Sequence, residues 1–349
     1  MRTRRTFLKQ ALLASGGLAA APVLGACGRE SGALVFCSYG GSYQKAQSKA
    51  WIKPFLEANS KIRVVQDSPT DYAKLAAMQK TENVTWDLVD TGSDYGLGRT
   101  ARNLEKLDCE RIGCDELQPK RLLSTGFRVP VITYSVVVAY RKDKFGGRKP
   151  RSFDDFFNMK DFPGPRGVAS QANNGSTLEI ALIADGVPPD KLYPLDIDRA
   201  LAKLDSIKSS LVYWETGEQS AQLLANGQVT MGTSWNGRVY TYEQEGAPVQ
   251  IMWDQHFLTA DYLVIPQGSR NVDAATKLCA YMVSAENNAR ISQYIAYGPS
   301  NTNALDKVPA KMRPYLPTSH LSTALSLNDR WWAENIRHAE EKFQAWRSA

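Results

Sequence analysis

Residues 33–43, Ala-Leu-Val-Phe-Cys-Ser-Tyr-Gly-Gly-Ser-Tyr, run on as QKAQSKAWIKPFLEA to residue 58, and this stretch decides the fold. Ala33–Ser38 is an apolar run of strand length, Tyr39-Gly40-Gly41-Ser42-Tyr43 is a turn, and Trp51, Phe55 and Leu56 form the inward stripe of an amphipathic helix. Strand, tight turn and helix in that order are the repeating unit of α/β proteins, whose sheets are largely parallel. The unit recurs outward along the chain. Strands are expected at 63–66 and 86–89, with a helix at 72–80 between them. A β-branched strand follows at 135–140. After the polar loop GGRKP at 146–150 the pattern restarts, with strands at 167–169, 211–214, 229–233 and 261–265. Helices are expected at 178–185, 200–209, 219–226 and just after Trp235, and from Ala274 onward the chain reads as mostly helical. No internal repeat or low-complexity linker interrupts it. Two similar α/β blocks joined by long crossing strands imply two discontinuous lobes around a cleft. The expected division is 27–137 with about 260–349 in lobe 1, and 138–259 in lobe 2.

The first 26 residues read as an export signal. Thr3-Arg4-Arg5-Thr6-Phe7-Leu8-Lys9 fits the twin-arginine pattern, and the uncharged run 11–26 is too short and small-residued to span a bilayer. Leu24-Gly25-Ala26-Cys27 resembles a lipobox, which would make Cys27 a lipidated N-terminus in the periplasm. Residues 1–26 hold four of the 42 basic residues and none of the 36 acidic ones, so the formal charge falls from +6 to +2 beyond them. The basic pI therefore belongs largely to the signal, and nothing in the charge calls for a nucleic-acid partner.

Of the five cysteines, Cys109 and Cys114 flank Glu-Arg-Ile-Gly in a polar segment where an oxidising compartment permits a small disulfide. Cys37 and Cys279 fall in apolar patterns and read as buried thiols. The three histidines, His256, His320 and His338, stand at no metal-ligand spacing from a cysteine, so neither a metal nor a cofactor is expected. No G-x-S-x-G elbow is present. Gly96-Leu97-Gly98-Arg99-Thr100-Ala101 matches a dinucleotide fingerprint in letters but is not the first strand–helix turn. An exported enzyme or a sensor lipoprotein remains the rival class.

Several segments in order resemble the extracellular solute-binding proteins of bacterial ABC importers, in the spermidine/putrescine-binding branch. They are residues 36–64, TWDLVDTGSD (85–94), VVVAYRKDKF (136–145), SFDDFFNMKDFPGPRGV (152–168), LLANGQVTMGTSWNGRVY (223–240), DYLVIPQGS (261–269) and ISQYIAYGPSNTNA (291–304). The resemblance implies the two-lobed type II periplasmic-binding fold, a monomer that closes on a small solute and delivers it to a membrane permease. The solute it implies first is a polyamine, putrescine or spermidine.

An ammonium leaving water needs carboxylates for its charge and aromatic faces for its methylenes. The resemblance places Trp235 as an aromatic wall, Asp261 as the amine-holding acid and Tyr297 as a cleft-lining ring. Trp235 is also readable as core and Asp261 as a solvated strand start. The family's aromatic just before Asp261 is missing, since Thr259 and Ala260 stand there. Tyr39 and Tyr43 bracket a Gly-Gly turn at a helix N-terminus suited to an anion. Asp94 follows a strand end and is readable as a helix cap. The far ammonium of a diamine needs a second acid, and the family's position falls near Asn174-Gly175-Ser176-Thr177, which has none. Glu179 and Glu215 are the nearest substitutes. That gap keeps open an amino-acid-derived solute such as 4-aminobutyrate or an opine, with the Gly-Gly turn taking its carboxylate.

Overall fold

A computed structural model describes residues 32–118 and 125–349. The signal segment and Cys27 lie outside the described residues. Ten strands are described: β1 Ala33–Cys37, β2 Arg63–Asp67, β3 Leu88–Thr91, β4 Val129–Arg141, β5 Arg166–Ala169, β6 Leu211–Trp214, β7 Met231–Trp235, β8 Val249–Val264, β9 Gly298–Pro299 and β10 Ala324–Ser326. They form one mixed sheet in the order β2-β1-β3-β8-β4-β7-β5-β6, with β10 beside β8 and β9 beside β4.

The opening unit forms as its sequence dictates. β1 is buried from Leu34 to Cys37, and a helical segment runs from Gly41 to Ala58, widening into a π-turn at Ser48–Ile52. Pro54, which has no N–H to donate, begins the next helical piece. Trp51 and Phe55 are buried on its inner face. Each outer strand is parallel to its neighbour, as the alternation requires.

The expected parallel sheet is not parallel throughout. At its centre β8 runs antiparallel to β3 and β4, and β4 antiparallel to β7. β4 has 13 residues and β8 has 16, and both are longer than their sequence patterns suggest. In β8 the alternation is broken where Val137 pairs with His256 but Val138 pairs with Met252, so the extra residues between them hide the strand from a period-2 reading.

These two strands pass from one set of hydrophobic cores to another. Val129, Val131, Ile132 and Tyr134 of β4 pack with Leu34, Phe36, Trp51, Leu263 and Leu278. Val136, Val138 and Tyr140 pack instead with Phe153, Val168, Leu178 and Phe257, and Val137 and Ala139 with Trp214 and Leu224 on the other face. Trp235 touches all three clusters and so marks the junction. The last helix, Asp329–Ser348, puts Trp332, Ala339 and Phe343 into the second set. The apolar stripe of this helix is thus covered by residues such as Leu178, Leu201 and Leu204, although the expected division groups it with the first half.

Cys109 and Cys114 are joined by a disulfide across a short helix, while Cys37 and Cys279 are free and buried. No helix among the described residues is long and apolar enough to cross a membrane.

Candidate functional site

Side chains alternate across a strand, so residues two apart share a face. Asp90 of β3 lies opposite Leu263 of β8, which places Asp90 and Asp261 as diagonal neighbours on one face of the sheet. Both are buried, Asp90 at 0% exposure and Asp261 at 5%. Asp261 is thus an interior strand residue rather than a solvated strand start. Asp90 Oδ2 accepts from Ser38 Oγ at 3.1 Å and Gln47 Nε2 at 2.5 Å, while Oδ1 has no partner. The Tyr43 hydroxyl beside it is also buried.

The electrostatics follow from that burial. Loss of hydration raises the Asp90 carboxyl above the ordinary carboxylate range, more than Gln47, Tyr43, Ser38 and Arg238 lower it. Asp261 is raised by burial and then by the Asp90 charge, against lowering by the Tyr134 hydroxyl, Arg238 and the Tyr43 hydroxyl. A rim of rings surrounds the pair. Tyr43 meets Tyr297 edge-on at 5.2 Å between centroids, and Tyr134 lies 5.5 Å from Tyr297.

A second group adjoins this one, Arg238 lying 5.9 Å from the Tyr43 ring centroid. Arg238, buried in the first turn of the helix Asn236–Gln244, bonds through Nη1 to Glu218 Oε2 at 2.7 Å, Gly40 O at 3.2 Å and Ser42 Oγ at 3.3 Å. Glu218 Oε2 also accepts from the Ser42 N–H and hydroxyl, each at 2.9 Å, and Oε1 accepts from Tyr242 at 3.1 Å. Burial raises the Glu218 carboxyl, but the Ser42 N–H, the Arg238 charge and the Ser42 hydroxyl outweigh it and hold the group below its ordinary range. Gly41 has φ +61°, and a Cβ there would lie 2.5 Å from Glu218 Oε2 and 2.6 Å from Arg238 Nη1. The backbone of the first half therefore rests directly on an ion pair of the second, which only glycine permits.

Of the sequence-predicted residues, Tyr43, Asp261 and Tyr297 come together with Arg238. Tyr39 and Asp94 join them one step away: Tyr39 Oη is 3.3 Å from Tyr72 Oη, and Asp94 Oδ1 accepts from Tyr72 at 3.3 Å. Asp94 Oδ2 accepts from Asn173 of the other half at 3.1 Å, so this acid ties the halves rather than capping a helix. Trp235 is half-buried, 5.3 Å from Trp214 between ring centroids. Ser176 is buried with φ +50° at the head of the helix Thr177–Ala184, near Gly175, where a Cβ would meet Thr233 Oγ1 and the Trp214 ring at 2.8 Å. Glu215 is exposed and joins neither group. Glu179 is buried elsewhere, with Oε1 accepting from Tyr193 at 2.8 Å and Trp332 at 2.7 Å under the C-terminal helix.

Sequence reasoning missed Asp90, Glu218 and Arg238. Asp90 sits inside the quoted TWDLVDTGSD, and a charged residue in an otherwise apolar buried strand was the available signal. Arg238 lies three residues beyond Trp235 in the same quoted segment. Glu218 carries no local signal, since its partner Ser42 is 176 residues away.

A model of the bacterial extracellular solute-binding protein family matches residues 50–318. The gamma-aminobutyric acid-binding protein of Pseudomonas aeruginosa is 33% identical over 328 residues, 91% of each chain. The spermidine/putrescine-binding periplasmic protein 1 of Haemophilus influenzae is 24% identical, covering 82% of this chain and 81% of its own. The solved structure of a GABA receptor superposes with a TM-score of 0.82 at 39% identity, covering 90% of this chain and 97% of the receptor.

Proposed function

The chain belongs to the bacterial extracellular solute-binding protein family, as the two-lobed receptor of an ABC importer, and from that membership we propose that its solute is a short ω-amino acid, 4-aminobutyrate in the first place. One observation carries this choice: buried acids and a buried guanidinium are gathered in one site. Asp90 and Asp261 are the acids, and Arg238 is the cation, near enough to lower both carboxyls. An ammonium suits the first and a carboxylate the second, the guanidinium being a planar donor fork matched to carboxylates.

The polyamine reading had the resemblance in its favour, but it needs an acid for the second ammonium. Glu215 is exposed and Glu179 is committed to Tyr193 and Trp332, so neither serves. Arg238 would repel a second cation. The relatives agree in direction, since the two GABA-named proteins are more similar to this chain than the polyamine-named one.

In this reading Tyr43, Tyr134 and Tyr297 wall the methylenes, Trp235 covers the junction, and Tyr39 and Asp94 with Asn173 close the rim. Lobe 1 then comprises about 27–134 and 260–323, and lobe 2 comprises 136–258 with the C-terminal helix. Closure is a shift toward a state with higher affinity for the solute. We keep Cys27 as the lipid-bearing residue that tethers the receptor in the periplasm. Fractionation of a Cys27→Ser variant tests that, with release from the membrane expected.

The deciding experiment is isothermal titration of the purified receptor with 4-aminobutyrate, putrescine and spermidine. We expect a micromolar constant for 4-aminobutyrate, about −8 kcal/mol, and at least ~100-fold weaker binding of either polyamine because the second ammonium meets Arg238. Tighter binding of putrescine overturns the choice of solute and leaves the receptor class standing.

A further inference from the structure

We infer that Asp90 and Asp261 act as one carboxylate pair, which holds a single proton in the empty receptor and releases it to solvent when the solute's ammonium enters. The inference rests on the amine-bearing solute proposed above. It starts from placement. The two acids come from adjacent antiparallel strands, share one sheet face and are both buried. Two anions cannot be kept side by side away from water without a cation.

The groups facing the pair supply none that is free. Ser38 from the end of β1 and Gln47 from the first helix hydrogen-bond to Asp90, and Tyr43 from that helix, Tyr134 from β4 and Tyr297 contribute neutral phenols. Arg238 is the one cation among these groups; it lowers both carboxyls, but it is itself paired with Glu218, and burial outweighs it. A single proton, carried by one carboxyl or the other, is what remains, and acids coupled through their charges titrate as a unit.

The exchange balances. The pair with its proton carries one negative charge. After the ammonium enters with its own three protons, the pair carries two negative charges and the ammonium one positive, so the site's net charge is unchanged and one proton has left. Solute affinity must therefore rise with pH while the pair still holds its proton, by up to about tenfold per unit.

The test has two arms. Titration calorimetry of the receptor with 4-aminobutyrate, in buffers of different ionisation enthalpy at about pH 6.5, counts protons released; we expect close to one in the wild type and close to none in Asp90→Asn. Potentiometric titration of the empty receptor needs no solute. Between about pH 8 and pH 5 the wild type should take up one proton more than Asp90→Asn, whereas an ordinary aspartate would do so only around its reference value of about 3.9. Circular dichroism and a melt establish that the variant folds. Buffer-independent heats in the wild type, or identical potentiometric curves, overturn the pair. Absence of any 4-aminobutyrate heat, with the extra proton still seen, instead sinks the choice of solute and keeps the pair.

Discussion

The two charged groups of the cleft solve opposite problems. Around Asp90 and Asp261 the charges have the same sign and come from one half of the molecule, and Arg238 offsets their burial only in part. Around Glu218 and Arg238 they have opposite signs, come largely from the other half, and are hydrogen-bonded to each other and to Ser42. The first arrangement is destabilising until something cationic arrives. The second is satisfied at once and joins the halves as it forms. A receptor needs both kinds, because one gives differential affinity for the solute and the other limits the entropy lost when the lobes meet.

Substitutions can break this comparison in order of effect. Asp261→Asn removes a charge from the unsatisfied end and should weaken 4-aminobutyrate binding by at least ~100-fold, about 2.7 kcal/mol by calorimetry. A loss below ~5-fold would mean the ammonium sits elsewhere. Arg238→Gln should cost roughly 30-fold for 4-aminobutyrate and improve putrescine binding, since the same change removes an attraction for one and a repulsion for the other. Both solutes weakening alike would reduce Arg238 to a structural role.

Gly41→Ala forces a Cβ onto the Glu218–Arg238 contact at a φ of +61°. It should open the free receptor, visible as a larger radius of gyration by small-angle scattering, and weaken the solute by roughly 10-fold. The smallest effect belongs to Cys109→Ser. The disulfide lies away from both charged groups, so affinity should stay within about twofold while the melting temperature drops, the cross-link having restrained the unfolded chain.

Stability against pH sharpens the same contrast. Asp90 and Asp261 are raised in the folded receptor, so it keeps a proton that the unfolded chain has already lost. Stability of the empty receptor should then fall as pH rises from the ordinary aspartate range through the pair's raised range. Glu218 is lowered, so its contribution is present above the ordinary glutamate range and is lost only as pH falls through the lowered one. Urea melts from about pH 4 to pH 8, with and without saturating 4-aminobutyrate, should show the decline flattened by the solute.

How much of this the sequence disclosed follows from the range of each interaction. Local units were legible: β1 with its Gly-Gly turn, the helix Tyr72–Lys80 and β6 appear where periodicity puts them. The central antiparallel pair was not, because the irregularity between Met252 and His256 scrambles the alternation of β8. Within the site, Tyr43 stood out beside its Gly-Gly turn, while Asp261 and Tyr297 were placed by the family resemblance. Asp90 fell just past the strand expected at 86–89, and Glu218 and Arg238 drew no reading of their own, since only the fold brings Gly40–Ser42 against them. Glu215 shows the converse, a conspicuous acid after a strand that the fold leaves in water.

The unbroken passage of β4 and β8 through both halves has a mechanical consequence. No flexible tether joins the lobes at these strands; they share a ladder that skips only between Pro130 and Ile132 and between Val137 and Val138. Between those skips Ser135 is pinned, its N–H donating to Asn236 Oδ1 at 2.9 Å and its hydroxyl to His256 Nδ1 at 2.8 Å. Closure in such a molecule is torsion of a stiff ribbon rather than flexing of a joint.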